Sequence, residues 1–339
     1  MKEQSDASVD FMDAFCASMD TNFAPSLKGV RAIAVGISGG ADSFALCFAL
    51  SEYFSGKDVV IYAITVDHNL RAESAQEAKH VSKVLDRLAN VEHVTLNWEH
   101  EERPSARIQE EARHARYDLM RGFMADRSVT QLFLGHHMDD QAETFLFRLA
   151  KGSGLDGLAC MPYMQDIGGI YFCRPMLQLS KQDAIDFCIA RGVEYIDDPS
   201  NDDDKYARVR LRQSMDVLAQ EGLTPERLSQ VAMRMSRARL ALDRIAEESY
   251  KKALFLINSK RIVFNFNLLI LNDEELFYRV VEKAVSELRE KKQYGVRMKK
   301  LERLCRDLRD DELFRKQTLG GVVFEVDQGR NELILTKEE

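Results

Sequence analysis

Six cysteines are spread along 339 residues, and no two of them stand in C-x-x-C spacing. That absence removes the usual pattern of a zinc or iron–sulfur site. Cys16, Cys47, Cys160, Cys173, Cys188 and Cys305 then read as small buried hydrophobes in a reducing compartment. No run approaches the roughly 20 apolar residues that span a bilayer, and the opening MKEQSDASVDFMDAFCASMD lacks the apolar core of a secretory signal. We therefore expect a cytoplasmic location and no membrane partner. Internal repeats and low-complexity tracts are also missing. So is any excess of positive charge: the net charge of −8 does not advertise a nucleic-acid partner.

Binding responds to patches rather than totals, and the cations here are clustered. KYARVRLR (205–212) carries Lys205, Arg208, Arg210 and Arg212 with no acid. Segment 289–306 carries Arg289, Lys291, Lys292, Arg297, Lys299, Lys300, Arg303 and Arg306 against only Glu290 and Glu302. Taken alone, either segment is equally the solvated face of a helix.

A chain of this length accommodates two domains, because single cores stop growing near ~250 residues. In the first half, β-branched runs at 30–37, 59–66, 91–98 and 130–137 alternate with helical stretches at 42–54, 73–89, 105–126 and 139–150. Continuous apolar strands separated by helices specify an α/β fold, a doubly wound parallel sheet covered on both faces. Ligands on such sheets lie beyond the carboxyl ends of the strands, which marks 38–43, 67–74 and 135–143 as one shared site.

After residue 150 the pattern changes. YFCRPML reads as a strand ending at Pro175, and Ser180 caps a helix with Asp183 in the capping-box position. A long charged helix starts at Thr224-Pro225-Glu226 and runs to about 256. RIVFNFNLL, GVVFEV and NELILT read as strands, with helices at 273–290 and 296–309. The expected organisation is an N-terminal extension (1–28), a catalytic domain (29–215), a helical linker (216–258) and a small α+β domain (259–339).

Ser38-Gly39-Gly40-Ala41-Asp42-Ser43 joins the first strand to its helix. Glycines admit a ligand close to backbone N–H groups, and the helix N-terminus supplies unpaired donors, so the stretch suits phosphate. The Walker pattern with its lysine is absent. Asp42 would repel phosphate unless Mg²⁺ lay between them; its bland role is a helix cap, worth ~0.5–2 kcal/mol. Asp139, Asp140 and Glu143 open a later helix, and the last two share a face. Favourable placement at a helix dipole is the competing account, at ~0.3–1 kcal/mol each. His136 and His137 end a strand at the same rim, where nucleotide contact or packing is expected of them. Arg113 and Arg116 are three apart on a helix, and a guanidinium fork suits phosphate, or else a salt bridge. Asp67 and His68 follow the second strand.

S-G-G-x-D-S after a strand resembles the loop of the N-type ATP pyrophosphatases (the PP-loop superfamily), which cleave ATP between its α and β phosphates. VDHNLRAES (66–74), EEARHARYDLM (110–120), LGHHMDDQAETFLFRLAKGSGLDGLACM (134–161) and RPML…DDPSND…YARVRLR (174–212) narrow the likeness. In order and character they resemble the tRNA(Ile)-lysidine synthetase family, densely over about 30–215 and loosely beyond. The family usually has R-N-x-x-R where Arg208 begins RVRLR, so Val209 removes any role of an Asn side chain there.

The resemblance implies a ligase that forms a C–N bond. ATP adenylates the C2 carbonyl oxygen of the wobble cytidine in the CAU anticodon of tRNA(Ile), and the ε-amine of L-lysine then attacks C2 and displaces AMP to give lysidine. It further implies ATP on Ser38, Gly39, Gly40, Ala41, Asp42 and Ser43, with Mg²⁺ at Asp42. Asp67, His68 and His136 would border the nucleotide, Arg113 and Arg208 would meet phosphate or substrate, and Asp140 and Glu143 would serve lysine. The helix at 224–256 could pair with a second copy to give a homodimer. A tRNA 2-thiolase and a non-catalytic nucleotide- or RNA-binding adaptor are the alternatives. The first needs reactive cysteines and the second needs no carboxylates.

Overall fold

The β-branched runs of the first half assemble into one sheet. Its strands are β1 (Ala32–Gly36), β2 (Val60–Asp67), β3 (Val91–Asn97), β4 (Gln131–Phe133), β5 (Met164–Ile167) and β6 (Ile170–Cys173). The computed structural model describes residues 2–67, 74–98, 108–196, 207–289, 298–311, 314 and 316–338. The spatial order is β3-β2-β1-β4-β6-β5, and every neighbouring pair is parallel except β5–β6. Residues Ile33, Ala34 and Val35 of β1 are all inaccessible to solvent, as a strand covered on both faces requires.

The helices of this part are α1 (Lys2–Asn22), α2 (Ala41–Tyr53), α3 (Ser74–Leu85), α4 (Ile108–Asp126), α5 (Met138–Ala150), α6 (Leu155–Leu158), α7 (Lys181–Ala190), α8 (Ala207–Gln213) and α9 (Met215–Gln220). Ile33 and Val35 pack into one core with Phe44, Phe133 and Phe187, whereas Ala34 and Ile64 face Met120, Phe123 and Met124 of α4. Ser180 caps α7 as expected, accepting the Asp183 N–H at 3.0 Å.

Two features depart from the sequence expectation. Residues 1–28, expected as an extension outside the catalytic domain, contribute α1 to its core. Phe11, Phe15, Met19 and Phe23 recur every fourth position, so they form one stripe, and all four are buried. The Phe11 ring lies 4.2 Å from that of Phe187, and Phe23 lies 5.8 Å from Phe133. The second departure is β5, an antiparallel edge strand that turns into β6 at Gly168-Gly169.

The chain divides into two compact units, Met1–Ser236 and Arg237–Glu339. The division falls within α10 (Pro225–Ala253), and the Arg227 N–H bonds the Thr224 hydroxyl at its start. The second unit has β7 (Leu254–Ile257), β8 (Arg261–Asn265), α11 (Phe266–Ile270), α12 (Glu274–Leu288), α13 (Met298–Asp310), β9 (Gln317–Leu319), β10 (Val322–Asp327) and β11 (Glu332–Lys337). Its sheet is wholly antiparallel, in the order β7-β8-β11-β10-β9. RIVFNFNLL, expected as one strand, is split at Asn265, whose side chain accepts the Leu268 N–H at 3.1 Å and caps α11. Helix α13 buries Leu301, Leu304, Cys305 and Leu308 and exposes Lys299, Lys300, Arg303 and Arg306. No helix among the described residues is long and apolar enough to cross a membrane.

Candidate active site at the carboxyl edge of the parallel sheet

From β1 the chain runs outward through β2 and β3 on one side and through β4 on the other. The loops after β1 and β4 therefore face each other where the strand order reverses, which is the ligand crevice of a doubly wound sheet.

The first loop is held by its own serines. Ser43 is buried, and its hydroxyl donates to Gly40 O at 2.9 Å while accepting the Ser38 N–H at 3.2 Å. Ser38 itself is exposed. Gly39 has φ +89°, and a Cβ there would meet Ile196 Cδ1 at 2.9 Å. The Ile196 N–H donates to Gly39 O at 2.9 Å and fixes the back of the loop. Gly40 occupies the cap position of α2, so Asp42 lies in the first helical turn and makes no cap hydrogen bond. The helix-cap account of Asp42 therefore does not hold. Its Oδ1 is buried and has no hydrogen-bond partner among the described residues, a donor atom that fits a hard cation.

The second loop approaches very closely. A Cβ on Gly135 would lie 3.0 Å from the Asp42 carbonyl oxygen and 3.1 Å from its carbon, so any larger residue would push this backbone back by a few tenths of an ångström. Two residues on, His137 caps α5 and is buried. Its Nε2 lies 3.6 Å from Asp42 Oδ2 and 3.5 Å from Asp140 Oδ2, and its Nδ1 lies 3.4 Å from Asp139 Oδ2. Burial disfavours a charged imidazole, but the three carboxylates outweigh it and raise the His137 pKa to about 10. Asp139 also accepts the Lys181 N–H at 2.9 Å. Burial opposes ionisation of Asp139, and these two donors nonetheless hold its carboxyl below the ordinary range. Asp140 accepts the His137 N–H at 3.1 Å.

Glu143, one turn further along α5, is buried and accepts Arg212 Nε–H at 2.6 Å. Arg212 reaches it from α8, whose Leu211 packs against the cluster containing Phe145 and Leu146. Asp140 and Glu143 thus share the first part of α5 but face different partners. Asp67 is buried at the end of β2, and its carbonyl accepts the Trp98 N–H at 2.8 Å. His136 is half-buried at the end of β4. Arg113 lies on α4 and Arg208 on α8, with side chains outside the described residues, as is all of His68. The sequence assigns His137 only nucleotide contact or packing and the arginines of YARVRLR contact with tRNA or the adenylate, not the pairing of Arg212 with Glu143. The available signal for His137 was its position just before a helix, with acids two and three residues later.

Burial pushes the thiols of Cys47, Cys173, Cys188 and Cys305 up to about 12 and that of Cys160 to about 11. Cys16 is only half-buried. At pH 8 a thiol reagent should therefore modify Cys16 first and the other five only on unfolding. Rapid labelling of more than one thiol per folded chain, counted by intact mass, would contradict this. No group of three His, Cys, Asp or Glu among the described residues is arranged to hold a metal.

The family model of the PP-loop domain matches residues 12–218. The tRNA(Ile)-lysidine synthase of Ruegeria pomeroyi is 40% identical over 218 residues, which cover 64% of this chain and 52% of that one. Over 273 residues the identity to the tRNA(Ile)-lysidine synthase of Methylobacterium sp. (strain 4-46) is 37%, covering 80% and 78%. The matched region thus spans about half the length of the Ruegeria relative. Among solved structures, the U34-tRNA thiolase NcsA of Methanococcus maripaludis, with its 4Fe-4S cluster, superposes with a TM-score of 0.56 at 15% identity. That match covers 68% of this chain and 79% of the other, and it shows a shared fold. The chain belongs to the tRNA(Ile)-lysidine synthase family of PP-loop proteins.

Proposed function

We propose that the protein is a ligase that makes lysidine at the wobble cytidine of a CAU anticodon in tRNA(Ile). The observation that carries this reading is the contact between Gly135 and Asp42, because it sets a phosphate-type loop against a carboxylate-rich helix start. Adenylyl transfer is mostly positioning and charge neutralisation. The N–H groups at the start of α2 and the Ser38 hydroxyl receive ATP phosphate oxygens. Asp42 would hold Mg²⁺ there, and the ion would supply neutralising charge to the phosphates. Arg113 and Arg208 would add guanidinium contacts, with Asp67, His68 and His136 bordering the nucleoside.

Cytosine O2 attacks the α-phosphorus and pyrophosphate leaves. The lysine ε-amine then attacks C2, a C–N bond forms, and AMP leaves with the O2 oxygen. Asp140 and Glu143 receive the ammonium group, and this carboxylate pair takes the proton it loses before attack; the guanidinium of Arg212 on Glu143 supports a cation-binding role for that carboxylate. The exposed face of α13 suits tRNA phosphates, which position an RNA without reading its sequence. Thiols raised to about 11 or 12 by burial weigh against sulfur transfer.

Purified protein with ATP, Mg²⁺, lysine and unmodified CAU-anticodon tRNA should yield lysidine, detected by nucleoside mass spectrometry. Asp140→Asn should raise the KM for lysine by about 10-fold or more, the loss of one charged hydrogen bond at ~1.5–3 kcal/mol. Steady-state pyrophosphate release that proceeds equally well without lysine would defeat the assignment.

A further inference from the structure

His137 is assigned no contact with ATP, lysine or RNA under the proposed function, yet it lies within 3.6 Å of three aspartates, Asp42, Asp139 and Asp140. Its two ring nitrogens face different carboxylates. Nδ1 lies 3.4 Å from Asp139 Oδ2, an ion-pair distance with no hydrogen bond made, and Asp139 is itself fixed by the Lys181 N–H at 2.9 Å. Nε2, on the opposite side of the ring, lies between Asp42 Oδ2 at 3.6 Å and Asp140 Oδ2 at 3.5 Å. The backbone adds further ties: the His137 N–H reaches Asp140 at 3.1 Å, and the Met138 N–H reaches Leu179 O at 2.8 Å. The ring itself is buried.

We propose that His137 is a positioning residue: Asp139 orients its ring, and the opposite ring nitrogen fixes the carboxylates of Asp42 and Asp140 relative to each other. Asp42 belongs to the nucleotide loop and Asp140 to the amine-binding helix, so a single side chain sets the separation of the two reacting partners. This rests on the lysidine-forming reading for the identity of the substrates. The arrangement is that of an outer group orienting the residues that touch the ligand, whose loss typically costs 10–100-fold in affinity or activity. A merely structural His137 would instead act through the helix cap and packing, lowering the folded fraction and leaving Michaelis constants unchanged.

Two isosteric probes separate these roles. The carboxamide nitrogen of Asn sits near the place of Nδ1, and that of Gln near the place of Nε2. His137→Asn should keep the tie to Asp139 and the α5 cap but lose both other carboxylates. Its affinity for ATP with Mg²⁺, measured by calorimetry, should fall at least 10-fold. In turnover its KM for lysine should rise by a similar factor, with tRNA affinity unchanged. His137→Gln should recover most of both losses. The proposal is overturned if His137→Asn binds ATP as the wild type does, or if Gln and Asn are equally impaired at equal folded fraction, checked by circular dichroism. The calorimetric arm reads Asp42 without turnover, so it decides the matter even if the wild-type chain makes no lysidine. Wild-type failure in the lysidine assay counts against the function and not against the positioning role.

Discussion

Asp42→Asn is expected to lower the rate of lysidine formation by about 10²–10³-fold, the range for removing one preorganised charge-stabilising group from a reacting centre. The substitution keeps shape and volume, so the effect isolates charge. Asp42 makes no cap hydrogen bond, and its Oδ1 has no partner among the described residues. The fold therefore has little to lose beyond a helix-dipole interaction of ~0.3–1 kcal/mol. His137 remains faced by Asp139 and Asp140. AMP release at saturating ATP and lysine, alongside a thermal melt, tests this. A variant that melts normally and retains more than about a tenth of wild-type turnover would remove Asp42 from the chemistry.

Phe15→Ala should destabilise the first unit by about 3–5 kcal/mol, the usual cost of emptying a fully buried aromatic site. Phe15 is wholly inaccessible and stands in the α1 stripe, its ring stacked 6.4 Å from that of Phe11. A loss of that size is a large share of the 5–15 kcal/mol by which domains are typically stable. The sole tryptophan, Trp98, lies in the first unit, so its fluorescence during urea unfolding reports that unit alone. A shift below ~0.5 kcal/mol, typical of surface positions, would mean that α1 is an appendage to the core.

Much of the fold was legible because its signals are local. Apolar runs such as Ala32–Gly36 are buried on both faces, and no other arrangement of so apolar a strand is stable in water. The crevice followed from the same alternation, since strand ends in such sheets converge at loops like 38–41 and 134–137. The α1 stripe was visible in principle at its four-residue spacing, but an acidic terminus masks it. Asn265 shows a different limit: RIVFNFNLL alternates well enough for a strand throughout, and only a side-chain cap decides where the helix takes over. The Glu143–Arg212 pair could not be read at all. Spacing tells which residues share a helix face, whereas the cation that meets Glu143 comes from 69 positions away.

Gly135 sets the scale on which the crevice tolerates error. A methyl group there would press on the Asp42 carbonyl, so the two loops pass each other backbone to backbone. Chain-length variation should accordingly be confined to parts of these loops remote from the contact, since an added residue near it would move the start of α5 away from the start of α2.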